Sequence, residues 1–292
     1  MPLSIRPAPW VPVCARFRKS DLLAAAFFLP VAWAFGYALL YSLGAIGLLS
    51  EGPTLAHWRE TLARAETAGT VLLSLWVAAA VTAIATTIAL ELSLRFAEPL
   101  RQPAVLALGC VPLATPVAVA GFVVYQLLAG GGLLARFGWH LGVIGGPGEF
   151  PVLVNDRLAV GIVLAHLLSA VPLLTLFFVG VRQGGRLGEQ LALAEALGAT
   201  PGQARRKIGR PLLLRKGRAL VLLVFILTLG SFEIPLILGR ESPRLFSVLV
   251  QEKAAGFDLA DRPQAFVLAL LYLLIVLPLT GLYLKWRGAR HA

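Results

Sequence analysis

Six apolar runs divide the chain, at residues 22–46, 69–92, 104–129, 158–181, 218–239 and 264–284, with polar or basic stretches between them. Each run is close to the ~20 residues that a helix needs to cross the hydrocarbon core of a bilayer. The cleanest lies between Thr70 and Leu90 and holds no charged residue. The third is interrupted by Pro112 and Pro116, and the first, fourth, fifth and sixth each hold a proline. Membrane helices tolerate this because neighbouring helices satisfy the freed carbonyls. Such prolines serve either as local kinks for packing or as hinges in a gated pathway. The pattern predicts an all-α membrane protein of six transmembrane helices. It divides into a tail (1–21), a first span with its external loop (22–68), a five-helix core (69–285) with a loop at 182–217, and a second tail (286–292).

Composition agrees with that class. Of the 292 residues, 58% are hydrophobic and only 14% charged, with mean hydropathy +0.81. A soluble domain of this length needs a more charged surface. The net charge of +11 does not call for nucleic acid, because membrane proteins gather Lys and Arg on cytoplasmic loops. With both termini placed inside, the inner segments hold 18 of the 26 basic residues. Both termini are therefore expected in the cytoplasm, and the 182–217 loop becomes the most basic inner segment. The first run follows Arg16, Arg18 and Lys19 and is too long for a signal-peptide core, so it reads as an uncleaved anchor. Cys14 has no apolar stretch before it to make a lipid-anchor site, and Cys110 lies within an apolar run. The two give no disulfide argument.

The basic loop carries helical spacing. In "LALAEALGATPGQARRKIGRPLLL", residues 191–214, Leu191, Ala194 and Leu197 continue a face begun by Leu187, and Gly198 stands where a left-handed cap would end a helix. Thr200, Pro201 and Gln203 then spell a second helix start with a capping box. Ala204 and Ile208 continue its apolar face, with Arg205, Arg206 and Lys207 mostly opposite, and Pro211 is expected to stop it. Two such short helices are marginal in water alone. They lie either on lipid headgroups or in the groove of a cytoplasmic partner.

Other chemistry is sparse. No GxxxxGK[ST] phosphate loop, HExxH or CxxC occurs, so the chain is not expected to bind ATP itself. His166 reads as a packing histidine rather than a ligand. The glycine clusters at 130–132 and 145–148 read as turns in a long external loop that could hold a short helix near 133–141. Glu233, with Ser231 and Phe232 in "LGSFEIPLILGR", is the one acidic residue deep in an apolar run. Intramembrane carboxylates are costly, so it is a pathway candidate. The alternative is a structural role near the outer interface.

The basic loop resembles the EAA loop of binding-protein-dependent ABC importer permeases of type I. In that family Glu-Ala-Ala is followed by three residues, a glycine, nine residues, Ile or Val, two residues and a proline. Ala194, Gly198, Ile208 and Pro211 stand in register, and Glu195, Leu197 and Ala199 fill the stretch around the glycine. Ala192 stands where the glutamate is expected, Leu193 at the first alanine, and Arg210 where leucine is usual. The resemblance covers residues 70–285. It implies a non-catalytic subunit with no cofactor, in the bacterial cytoplasmic (inner) membrane. Its partners would be a cytoplasmic ABC ATPase dimer that grips this loop, a second six-span permease subunit (a heterodimer), and an external solute-binding protein. The "LGA" after the EAA position resembles permeases for polyamines, iron, thiamine and oxyanions such as sulfate or molybdate. The competing classes are an autonomous secondary transporter or channel, which often carries several intramembrane charges or an inverted repeat, and an intramembrane enzyme, which needs a converging set of catalytic side chains.

Overall fold

The computed structural model describes residues 19–288 apart from 48 and 51, so 1–18 of the first expected tail and 289–292 of the second lie outside it. Its helices are α1 (Lys19–Ser42), α2 (Ala56–Ala63), α3 (Ala65–Arg95), α4 (Pro103–Ala114), α5 (Val117–Leu128), α6 (Leu133–His140) and α7 (Val160–Gln183). They continue with α8 (Leu187–Ala196), α9 (Pro201–Ala204), α10 (Arg210–Leu229), α11 (Glu233–Leu238), α12 (Phe246–Ala255) and α13 (Arg262–Gly288). No strand occurs among the described residues.

Four described stretches are long and apolar enough to cross a membrane: Ala65–Arg95, Val117–His140, Val160–Gln183 and Leu259–Lys285. Phe28–Ser42 and Pro103–Ala114 are apolar but shorter. Two of the six expected runs are each built from two helices. The third breaks at Thr115-Pro116. Pro116 has no N–H, and its ring pushes Thr115 into extended backbone at ψ 128°. The Thr115 N–H and hydroxyl then both donate to the Val111 carbonyl, at 3.1 and 2.9 Å. Pro112 sits inside α4 without ending it, as Pro30, Pro172 and Pro278 do in α1, α7 and α13. The fifth run breaks at Gly230, between α10 and α11.

The core is the seam of α3 with α7 and α10. Val77, Val81, Ala85 and Ala89 recur every fourth residue along α3 and are fully buried. Ile162, Leu174 and Phe178 of α7 and Leu213 and Val224 of α10 belong to the same cluster. Lipid is as apolar as leucine, so burial in a bilayer gains little from water exclusion. Close packing by small residues such as these alanines supplies the adhesion instead. His166, read from sequence as a packing histidine, also lies on α7. It is buried, with Nδ1 2.9 Å from the Ile162 carbonyl and no described partner for Nε2. A smaller cluster joins Phe246 and Leu249 of α12 to Leu268 of α13. α1 lies along α13, where Tyr41 and Phe266 stack at 4.5 Å between ring centres.

Candidate functional site: the basic loop between α7 and α10

The loop folds as a bent pair of helices with one side anchored and the other open. Leu187 and Leu191 of α8 are buried in the main core, and Ala194 is half-buried against it. Leu197 was expected on that same face. It instead lies past the last turn, 81% exposed, above Leu193 at 62%. The helix ends there, so the four-residue repeat no longer governs direction. Glu195 is also exposed.

Gly198 makes the bend at φ +95°. Its N–H donates to the Glu195 carbonyl and that of Ala199 to the Ala194 carbonyl, both at 3.0 Å. This pair of bonds is a Schellman cap, which needs a residue in the left-handed region at its centre. A Cβ on Gly198 would meet nothing within 4 Å, so backbone conformation alone demands glycine here. Gly198→Ala is therefore expected to cost about 1–2 kcal/mol locally. Amide hydrogen exchange across α8 should then rise about tenfold, with little change in the α3–α7 seam. Unchanged exchange in α8 would contradict the cap.

The second half starts as its sequence predicts. Thr200 accepts from the Gln203 N–H at 3.3 Å, and the Gln203 side chain accepts from the Thr200 N–H at 3.0 Å. Pro201 takes the first helical position. Pro211, however, does not stop the helix. Residues Arg205–Gly209 form a π turn, with the Arg210 N–H reaching back to the Arg205 carbonyl, and the chain runs on into α10. Pro211 has no N–H to give, and it lies just past the wide turn, where the ordinary bonding pattern is already interrupted. Ile208 is half-buried and Pro211 exposed.

The base of the loop is held to the last turn of α3. Arg182, at the end of α7, donates to the carbonyls of Ser93 and Leu94 at 2.8 and 3.0 Å. Arg210 donates to Oε1 of Glu91, its Nε at 2.7 Å, and Arg95 pairs with Oε2 at 2.7 Å. Gly209 lets the backbone approach: a Cβ there would lie 2.8 Å from Leu94 Cδ2. Sequence reading noted Arg210 only as a departure. Glu91 and Arg182 went unremarked, although Glu91 directly follows the uncharged stretch 67–90 and needs a partner.

The other candidate residues lie at the far end of α10, whose 20 residues span about 30 Å. Ser231 and Phe232 are half-buried in the break, and Glu233 is exposed at the start of α11. Irregular backbone at membrane depth needs internal partners. Ser247 donates to the Gly230 carbonyl at 2.8 Å, and Tyr272 donates to that of Ile226 at 3.1 Å. Beside the break is a cavity of about 370 Å³ lined by Phe232, Phe246, Ser247, Gln251 and Tyr272, among others. The structure thus separates the two candidate sets and joins them by one helix.

No family model and no curated protein matches the sequence. The fold is similar to that of a chain in the crystal structure of a bacterial ABC transporter involved in the import of the acidic polysaccharide alginate. The TM-score is 0.64 at 15% identity, over 91% of this chain and 96% of that one. A chain of a bacterial alginate ABC transporter, solved in complex with an alginate pentasaccharide-bound periplasmic protein, gives 0.62 at 13% identity, over 89% and 91%. The shared architecture covers nearly the whole length of each chain.

Proposed function

We propose that this chain is a transmembrane permease subunit of an ABC importer. The observation that carries the reading is the bent basic loop, which turns Leu193 and Leu197 outward at its tip while Arg182 and Arg210 hold its base. The near-full-length fold likeness to chains of alginate ABC transporters supports it. An exposed leucine pair on a basic loop suits a helix-in-groove contact with a cytoplasmic ATPase dimer. A second six-span subunit would complete the pathway, and an external binding protein would deliver the solute. Closure of the ATPase on ATP would draw two such loops together and shift the spans between inward- and outward-facing arrangements. The protein would reside in the bacterial inner membrane with both termini in the cytoplasm. The solute class suggested by the sequence is small: polyamine, iron, thiamine or an oxyanion.

Purification in mild detergent from its own cells tests this. A soluble ATPase should accompany the chain in stoichiometric amount, and uptake into proteoliposomes should require ATP. A solitary chain that moves solute without ATP would instead be an autonomous secondary transporter or channel.

Ser231, Phe232 and Glu233 belong in this reading to the pathway, beside the break and its cavity. Glu233→Gln is expected to lower uptake about tenfold, as loss of a pathway charge does, while ATPase capture stays at wild-type level. Uptake at the wild-type rate would remove Glu233 from the pathway.

A further inference from the structure

We infer that the last turn of α3 is the mechanical anchor of the basic loop, and that the Glu91–Arg210 pair is the link that carries loop movement into the packed spans. The inference rests on the permease reading and adds positioning residues to it.

Three observations converge on one helical turn. The entrance to the loop is tied to it through Arg182, which takes the Ser93 and Leu94 carbonyls at 2.8 and 3.0 Å. Those carbonyls belong to the open end of α3, which has no further turn to donate to them, and a guanidinium there also complements the helix dipole. The exit is tied through Arg210, whose Nε is 2.7 Å from Glu91 Oε1 and whose Nη2 reaches the same oxygen. Between these points Gly209 packs on Leu94 so tightly that a Cβ would lie 2.8 Å from its Cδ2.

Both carboxylate oxygens of Glu91 are engaged by this arrangement. Arg210 occupies one oxygen and Arg95, four residues along the same helix, occupies the other at 2.7 Å. The two arginines differ in what they connect. Arg95 joins α3 to itself. Arg210 joins α3 to the first residue of α10, immediately after the π turn. A π turn is the least regular part of the path from the loop tip to α10 and is the natural place for it to yield. The pair bypasses that turn and delivers the load to the helix whose alanines and valines form the core.

A partly exposed ion pair adds little to stability, so a purely structural role for it would be nearly silent. A positional role would show in coupling. The experiment uses the complex with its ATPase in proteoliposomes and reads solute taken up per ATP hydrolysed, beside ATPase stoichiometry and melting temperature. Arg210→Glu and Glu91→Arg should each lower uptake per ATP about tenfold, a coupling change of ordinary allosteric size. The melting temperature should fall by only a few degrees and the ATPase should stay bound. The double exchange E91R/R210E should restore uptake per ATP to within about threefold of wild type, since it re-forms a pair of opposite charges across the same gap. Arg95→Ala should lower it far less than Arg210→Glu. Single reversals that keep wild-type uptake per ATP, a double exchange no better than the worse single, or an Arg95→Ala loss equal to that of Arg210→Glu would each overturn the link. A wild-type preparation without ATPase would sink the permease reading and this inference with it. That outcome is visible before any variant is made, so the two failures are distinct.

Discussion

Leu193→Asp combined with Leu197→Asp should strip the ATPase from the purified protein while leaving the chain folded. Both side chains point away from the described residues, at 62% and 81% exposure, so their removal breaks no internal packing. Burying each in a partner's groove is worth about 1.5–3 kcal/mol, and aspartate adds the cost of an unpaired charge on the docked face. The two together are expected to weaken capture by about 10²–10⁴-fold, the range typical of lost anchor residues. Pull-down at graded ATPase concentration measures this directly. The melting temperature of the isolated chain should shift by less than about 2 °C, as surface substitutions do. Leu191→Asp, one turn back, makes the contrast. Its side chain is buried in the main core, so that variant should destabilise the protein itself. Retained capture by the double variant would mean that the tip is not the contact, and that the loop's leucines lie on lipid instead.

Gly217→Leu should be the most damaging single change to the helix bundle. Gly217 lies on α10 where it meets α7, and a Cβ there would come within 2.5 Å of Phe178 Cε1, with Phe177 Cε1 at 3.3 Å. A ring edge could swing aside in open space, but Phe178 is at 0% exposure inside the core and has nowhere to go. Forcing atoms into a packed site costs about 1–3 kcal/mol or more, and here α10 would have to move away from α7. In a bilayer that separation is especially harmful, because contact at close range is what holds the helices together. The variant should melt several degrees lower by fluorescence-detected size exclusion and load poorly into liposomes. Gly217→Leu with Phe178→Ala should recover part of the loss, because the second change removes the ring that the first one meets. A melting temperature equal to wild type for Gly217→Leu would mean that the two helices are held less tightly than this geometry requires.

The loop and the spans show which features were legible in sequence. The Schellman bend at Gly198 and the capping box of Thr200 and Gln203 were readable because both depend on a few neighbouring residues and their backbone angles. The short helix Leu133–His140 was readable for the same reason. Pro211 was misread as a stop because a π turn can accommodate a proline just beyond it, and no local pattern announces that turn. The third and fifth apolar runs were readable as apolar but not as broken. Thr115-Pro116 ends one helix while Pro112 does not end it. The break at Gly230 is bordered by bonds from Ser247 and Tyr272, which lie 17 and 46 residues beyond the carbonyls they donate to.

The sequence by itself determined the class of molecule, the positions of its apolar runs and the bend of its basic loop. Each of these is set by composition or by contacts within about one helical turn. Only the tertiary structure decided which leucines of the loop face the core and which face outward, where α10 gives way to α11, and that Glu91 meets Arg210, 119 positions further along the chain. Those outcomes depend on which helices lie side by side. In a membrane that choice is made by close fit at glycines such as Gly209 and Gly217, and a hydrophobic pattern alone carries no record of that fit.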